Sequence, residues 1–132
     1  MLEFMLDTNI CIYIMRRRQQ ALFDRFSASA ERICLSSIVV SELQFGARKS
    51  RWQEASLEVL TSFVSQLDVL PYGTEVAPHY ADIRSALEGA GMPAGPNDLL
   101  IGAHARSLDL TLVTNNRREF DRMPGLKVEN WV

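Results

Sequence analysis

The chain has 132 residues, of which 47% are hydrophobic and 23% charged, with a formal net charge of −2. This balance excludes a disordered chain, and the length suits one domain, residues 1–132, with a core that needs no disulfides. No apolar stretch approaches the roughly 20 residues that span a bilayer, and no signal peptide is recognisable. We therefore expect a soluble, cytoplasmic protein without membrane contact.

Short apolar runs alternate along the chain with segments of helical periodicity. The predicted strands cover residues 2–6, 32–35, 68–70, 111–114 and 127–129. The predicted helices cover residues 8–15, 20–27, 37–49, 52–66, 74–89 and 97–108, with a helical turn at 117–120. Ser36 or Ser37 is expected to cap the third helix and Thr74 the fifth. This alternation predicts an α/β fold with a mostly parallel sheet, whose ligands gather at the carboxyl ends of the strands.

Three carboxylates stand in unusually apolar settings. Asp7 ends the first apolar run, Glu42 lies on the apolar side of its helix, and Asp98 opens a nearly all-apolar helix. Asn116 follows the fourth predicted strand. A buried carboxylate is costly unless it is paired, and no lysine or arginine is close in sequence on the same predicted face. A divalent cation is the simplest shared partner, because hard cations take oxygen ligands.

Each carboxylate also has an ordinary structural explanation. Asp7 and Asp98 can act as N-caps of the helices that follow them, where a negative charge suits the helix dipole. Glu42 can lie at a helix edge and form a salt bridge. The three acids together favour a metal site, because like charges brought close raise each other's pKa unless a cation is present.

Other polar and aromatic residues are assigned more ordinary roles. His79 and His104 show no metal-binding spacing and are predicted to be structural or exposed, and Cys11 and Cys34 are predicted to be free and buried. Basic clusters are expected as solvated surface, or alternatively as a rim that contacts phosphates, at residues 16–18, 48–51 and 117–118. Three aromatic residues are predicted to lie in the core or a dimer interface rather than to stack on bases: Phe45, Trp52 and Phe63.

Four segments, in this order, resemble a known family. They are Met5-Leu-Asp-Thr-Asn9, Ser36-Ser-Ile-Val-Val-Ser-Glu-Leu43, Gly95-Pro-Asn-Asp-Leu-Leu-Ile101, and Leu112-Val-Thr-Asn-Asn116 with Glu119-Phe120. The chain resembles a PIN domain and, more narrowly, the VapC toxins of bacterial VapBC toxin–antitoxin modules. The resemblance covers nearly the whole chain and implies a three-layer α/β/α sandwich around a parallel sheet.

The resemblance also implies roles for individual residues. Asp7, Glu42 and Asp98 correspond to the metal-binding acids, and Thr8 to a hydroxyl that supports the first aspartate or the metal. Asn116 stands where many PIN domains carry a fourth acid, and Glu119 is a nearby carboxylate that can supply it.

The implied activity is Mg²⁺-dependent endoribonuclease cleavage, with Mn²⁺ as a substitute. Several members of the family cut tRNA, including initiator tRNA at the anticodon loop, and others cut ribosomal RNA; tRNA is the expected substrate here. The implied partners are a VapB antitoxin and a second copy of the chain in a homodimer, with DNA contacted only through the antitoxin. Two other functions compete with this one. The first is a catalytically silent PIN-like module that acts through a bound partner, and the amide at Asn116 favours it. The second is a structure-specific DNA nuclease, which the small size of the chain disfavours.

Overall fold

The computed structural model describes all residues from 1 to 132, and its strands and helices alternate as the sequence predicts. The strands are β1 (Phe4–Leu6), β2 (Ile33–Ser36), β3 (Asp68–Leu70), β4 (Thr111–Val113) and β5 (Lys127–Glu129). The helices are α1 (Thr8–Arg16), α2 (Gln20–Ser29), α3 (Ser37–Lys49), α4 (Gln53–Ser65), α5 (Ala77–Gly89), α6 (Pro96–Ser107) and α7 (Arg117–Phe120). No helix combines the length and the hydropathy of a membrane span.

The five strands form one sheet in the order β3-β2-β1-β4-β5, and every neighbouring pair is parallel. The chain builds β2 and β3 on one side of β1 and then returns to build β4 and β5 on the other. Such a reversal of strand order opens a crevice at the carboxyl ends of the central strands. All residues of β1 and β2 are buried, so both faces of these strands are covered, as in an α/β/α sandwich.

Two helix starts differ from the predicted ones because of proline. Thr74 does not cap α5; it begins a short 3₁₀ turn, Thr74–Val76, and α5 follows from Ala77 with Pro78 in its first turn. Proline lacks an N–H and fits only in the first turn of a helix, so Pro78 fixes this start. For the same reason α6 begins at Pro96 and not at residue 97. The cap of α3 is Ser36, whose hydroxyl accepts a hydrogen bond from the Ile38 N–H.

Thirty buried hydrophobic residues form one continuous core cluster, which supports the proposal of a single domain. Both cysteines are free and buried, and Phe63 lies in the core, as the sequence predicts. A core position is wrong for Phe45 and Trp52, which are 64% and 69% exposed. The buried residues of α3 are Val39, Leu43 and Ala47, so Phe45 falls off the buried stripe of its helix. The alternative of a dimer interface at these two aromatic residues stays a prediction.

Candidate active site

Asp7 lies at the centre of the crevice, directly after β1. It is 5% exposed and caps α1 through Oδ1, which accepts a 2.8 Å hydrogen bond from the Thr8 N–H. Oδ2 accepts a second 2.8 Å bond from the hydroxyl of Thr114, which follows β4. Burial raises the pKa of Asp7 and the negative charges of Glu42 and Glu119 add to this, while the two hydrogen bonds oppose it. Asp7 is therefore a helix cap whose charge is also repelled by two other carboxylates.

Glu42 is held by neutral donors and forms no salt bridge. Its Oε1 accepts a 2.7 Å hydrogen bond from the Thr8 hydroxyl, and its Oε2 accepts a 3.0 Å bond from Nδ2 of Asn97. The edge salt bridge that the sequence left open is therefore absent. Thr8 contacts two acids, because its backbone N–H binds Asp7 and its hydroxyl binds Glu42.

Asp98 lies in the first turn of α6 but does not cap it, since the N-cap position is Gly95 and no side chain makes the capping bond. Its carboxyl group lies beside that of Glu119 and interacts with it. Burial raises the pKa of Asp98 to about 8, helped by the hydrogen bond to Glu119 and by the charges of Glu119, Asp7 and Glu42. Asp98 is therefore protonated more readily than an isolated aspartate.

Glu119 is the more acidic of the two carboxyl groups. The hydrogen bond from Asp98 lowers its pKa, and so do the Gly95 N–H at 2.7 Å and Nδ2 of Asn116 at 3.1 Å. The positive charge of Arg122 acts in the same direction. Asn116 therefore supports Glu119 through its amide, and its own N–H donates to the Thr114 hydroxyl at 2.9 Å.

Gly95 marks the point where Asp98 and Glu119 meet. A Cβ atom at position 95 would lie 3.7 Å from Oδ2 of Asp98 and 3.8 Å from Oε1 of Glu119. The crevice thus gathers four carboxylates, from the end of β1, from α3, from the start of α6 and from α7. No three of these groups are already arranged around one point as a ready set of metal ligands.

The donor chemistry nevertheless fits a divalent cation. The carboxylates offer hard oxygen atoms, and their neighbours in the crevice are mostly hydroxyl, amide and backbone donors that leave the negative charge uncompensated. The raised pKa values of Asp7 and Asp98 reflect burial together with this repulsion. A bound cation would relieve the repulsion, because an opposite charge within a few ångströms favours the ionised form.

The fold and the crevice have counterparts among known proteins. The model of the PIN domain matches residues 4–126. The tRNA(fMet)-specific endonuclease VapC of Salmonella typhimurium is 46% identical over 131 residues, covering 99% of each chain.

The chain belongs to the PIN-domain family.

Further relatives connect this PIN domain to the VapC group. Ribonuclease VapC2 of Haemophilus influenzae is 46% identical over 132 residues and 100% of both chains. Among solved structures, the DNA-bound VapBC of Salmonella typhimurium has a TM-score of 0.96 at 45% identity over 100% of both chains. VapBC2 of Rickettsia felis, bound to a DNA fragment from its promoter, has a TM-score of 0.94 at 38% identity, covering 99% of this chain and 100% of that chain. These matches confirm the family resemblance and the fold that the sequence predicts. Ribonucleases of the PIN family are metal-dependent.

Sequence reasoning placed the acids of this PIN domain but missed several supporting groups. Asn97 is adjacent to Asp98 and yet binds Glu42, 55 residues away. Thr114 lies within the Leu112–Asn116 segment, but its contact with Asp7 spans 107 residues. Arg122 gave no signal beyond its closeness in sequence to Glu119. A segment that resembles a family motif identifies such residues as candidates only, since the contact itself depends on the tertiary fold.

Proposed function

We propose that this protein is a metal-dependent endoribonuclease that acts as the toxin of a toxin–antitoxin pair. The named activities of the VapC relatives, at 46% identity over nearly the whole chain, support this. The observation that carries the proposal is the meeting of four carboxylates at the end of β1. Hydrogen bonds fix Asp7, Glu42 and Glu119, and Asp98 lies beside Glu119. We further propose tRNA as the substrate class, with initiator tRNA as the first candidate, since a relative is named for tRNA(fMet).

In this proposal Asp7, Glu42 and Asp98 would hold Mg²⁺, for which Mn²⁺ could substitute. An ion held there would supply Lewis-acid chemistry for the attack of water on the phosphodiester. Hydroxyl side chains of the protein hold two of these carboxylates in position. Thr8 and Thr114 fix Asp7, and Thr8 also fixes Glu42, so small movements of the ligands are resisted.

Glu119 and Asn116 have a separate role in the same proposal. Glu119 is ionised, and Asn116 and the Gly95 N–H aim its carboxylate into the crevice beside Asp98. We assign Glu119 as the group that accepts the proton of the attacking water, with Asn116 as its positioning residue. The amide at position 116, which favoured a silent module on sequence grounds, therefore has a place in a working site.

A VapB-type antitoxin is the proposed partner, because the similar structures are VapBC complexes. An apolar groove between α1, α3 and α4 suits a helical segment of such a partner and contains Ile12, Met15, Leu43, Trp52 and Leu60. Glu42 lies on its border, so an antitoxin seated there would reach the acids. We also propose that the toxin acts in the cytoplasm, where tRNA is found, that it forms a homodimer, and that it meets DNA only through its antitoxin.

The test is cleavage of purified initiator tRNA and of total bacterial RNA, with Mg²⁺ or with EDTA. Asp7→Asn preserves the shape of the side chain and should lower cleavage by about a hundred-fold or more, because it removes charge from the metal site. Asp24→Asn is the matched control, since Asp24 is an exposed acid on α2 that hydrogen-bonds only to Gln20. Cleavage that survives EDTA, or an Asp7→Asn variant as active as the control, would contradict the proposal.

A further inference from the structure

A groove of about 790 Å³ leads away from the acids along α3. Thr8, Glu42 and Asn97 line one end of it, and Arg16, Phe45 and Lys49 line the rest together with small polar residues and a glycine. We propose that this groove holds a single strand of RNA beside the scissile phosphate, with Phe45 stacked on a base and Arg16 and Lys49 in contact with phosphates. The inference rests on the proposed ribonuclease function and adds the residues that bind its substrate.

The geometry of α3 aligns these groups with the acids. Glu42, Phe45 and Lys49 follow one another at intervals of three and four residues, which places them on one face of the helix. At a rise of 1.5 Å per residue, Lys49 stands about 10 Å beyond Glu42 along the helix axis. A strand whose phosphate lies at Glu42 therefore passes Phe45 before it reaches Lys49.

The exposure and charge of these side chains suit a nucleic acid. Phe45 is 64% exposed, and Nζ of Lys49 lies 5.2 Å from the centre of its ring. Neither Lys49 nor Arg16 forms an ion pair with a carboxylate, so both charges are available to phosphates. An exposed aromatic ring with a cation beside it, in a groove that carries a second cation, suits an unpaired base, because every base offers a face for stacking.

The lining of the groove argues for RNA over a protein partner. Phe45 is the one hydrophobic residue among the nine that line it. A helical segment of a partner needs a broader apolar surface, and the neighbouring groove around Trp52 offers one. The stacking also selects a single strand, since the bases of a duplex are already paired and stacked and present mainly phosphates.

The test measures binding of a short fluorescein-labelled single-stranded RNA of mixed sequence by fluorescence anisotropy in EDTA, across a series of salt concentrations. Phe45→Ala should weaken binding about ten-fold, and Phe45→Tyr should restore it, because stacking on an aromatic ring contributes this much per base. Lys49→Gln should lower the slope of log affinity against log salt by about one. On a duplex of the same sequence, Phe45→Ala should have no effect.

Trp52→Ala is the matched control, because Trp52 is also an exposed aromatic residue with a cation beside its ring, Arg51 at 5.6 Å, but lines the other groove. It should leave RNA binding unchanged. In parallel cleavage assays with Mg²⁺, Phe45→Ala should raise KM about ten-fold and leave kcat within about two-fold of wild type. Melting temperatures equal to that of wild type would show that these exposed substitutions act on binding and not on the fold.

Each contrary outcome has a distinct meaning. If wild type cleaves RNA while the Phe45 and Lys49 variants bind and cleave as it does, the groove assignment is overturned and the ribonuclease function stands. If these variants keep RNA binding but lose affinity for a VapB-type antitoxin, the groove belongs to a protein partner and the assignment is again overturned. If wild type neither binds nor cleaves RNA, the proposed function fails and the groove assignment fails with it.

Discussion

Replacing Asp98 by asparagine should stabilise the metal-free protein at alkaline pH while it removes activity. The pKa of Asp98 is raised to about 8, mainly by burial and then by Glu119 and the other acids. Between the unfolded value of 3.8 and about 8, the folded state keeps a proton that the unfolded state has lost. The free energy of unfolding therefore falls as pH rises through this window, and the loss is complete above about pH 8. Asparagine carries no charge to desolvate, so the free energy of unfolding of the variant should not fall in this way as pH rises.

The size of the effect is smaller than the pKa shift alone suggests. Each pKa unit corresponds to about 1.36 kcal/mol, but Asp98 is only half-buried and solvent screens its charge. The lowered pKa of Glu119 contributes in the opposite direction, since that ionised carboxylate is stabilised by its hydrogen bonds in the folded state. We expect Asp98→Asn to gain about 1–2 kcal/mol at about pH 9, which is a rise in melting temperature of about 3–10 °C for a chain of this size.

Thermal unfolding in EDTA at about pH 6 and about pH 9 measures the effect. Wild type should melt lower at the higher pH, and Asp98→Asn should show a smaller difference. Added Mg²⁺ or Mn²⁺ should raise the melting temperature of wild type, because a ligand that binds only the folded state stabilises it, and should raise that of the variant less. If the melting temperatures of the two proteins change equally with pH, the prediction is wrong. That result would mean that ionising Asp98 costs no more in the folded state than in the unfolded state.

Two further substitutions test the supporting groups. Asn97→Ala frees Oε2 of Glu42 and should lower the affinity for Mn²⁺, measured by calorimetry, about ten-fold while the melting temperature stays near that of wild type; unchanged affinity would mean that Asn97 does not position Glu42. Thr114→Val leaves Oδ2 of Asp7 without its hydrogen-bond donor. It should lower the free energy of unfolding by about 1–3 kcal/mol and should also lower cleavage. A variant as stable as wild type in urea unfolding would show that water or another donor replaces the hydroxyl.

The fold could be predicted from the sequence because its signals are local. Short apolar runs bounded by turn residues gave all five strands, and helical periodicity gave the helices between them. The errors were at the ends of elements, as at Thr74, where the position of Pro78 fixes the start of the α-helix. The order of the strands is not a local property, so the resemblance to PIN domains was needed to expect the sandwich.

The exposed aromatic residues show where composition misleads. Phe45 and Trp52 are large and apolar, and a prediction based on residue type places them in the core. Their positions in α3 and at the start of α4 point away from the buried stripe, whose members in α3 recur at four-residue intervals. The spacing of Phe45 relative to Leu43 and Ala47 predicts its exposure, whereas its residue type alone predicts burial.

The site was predictable as a set of acids but not as a working arrangement. Asp7, Glu42 and Asp98 stood out because a carboxylate in an apolar setting needs a partner. The identity of each partner depends on contacts across the sheet, such as that from Thr114 after β4 to Asp7 after β1. Local pattern reports which residues are unusual, whereas the fold decides which of them meet.

The choice of donors around the acids explains why the chain can carry this cluster. Hydroxyl, amide and backbone N–H groups fix the direction of each carboxylate, yet they leave its negative charge largely in place. A lysine or arginine at these positions would give more stability to the free protein, but it would occupy the place of a divalent cation and neutralise the acids. The hydrogen bonds therefore fix the positions of the carboxylates, while their negative charge stays uncompensated. A hard cation is the ligand that such a site binds best. The repulsion between the acids lowers the stability of the metal-free protein, and the same repulsion favours binding of a cation. Such a loss of stability is common where function requires like charges to be held together.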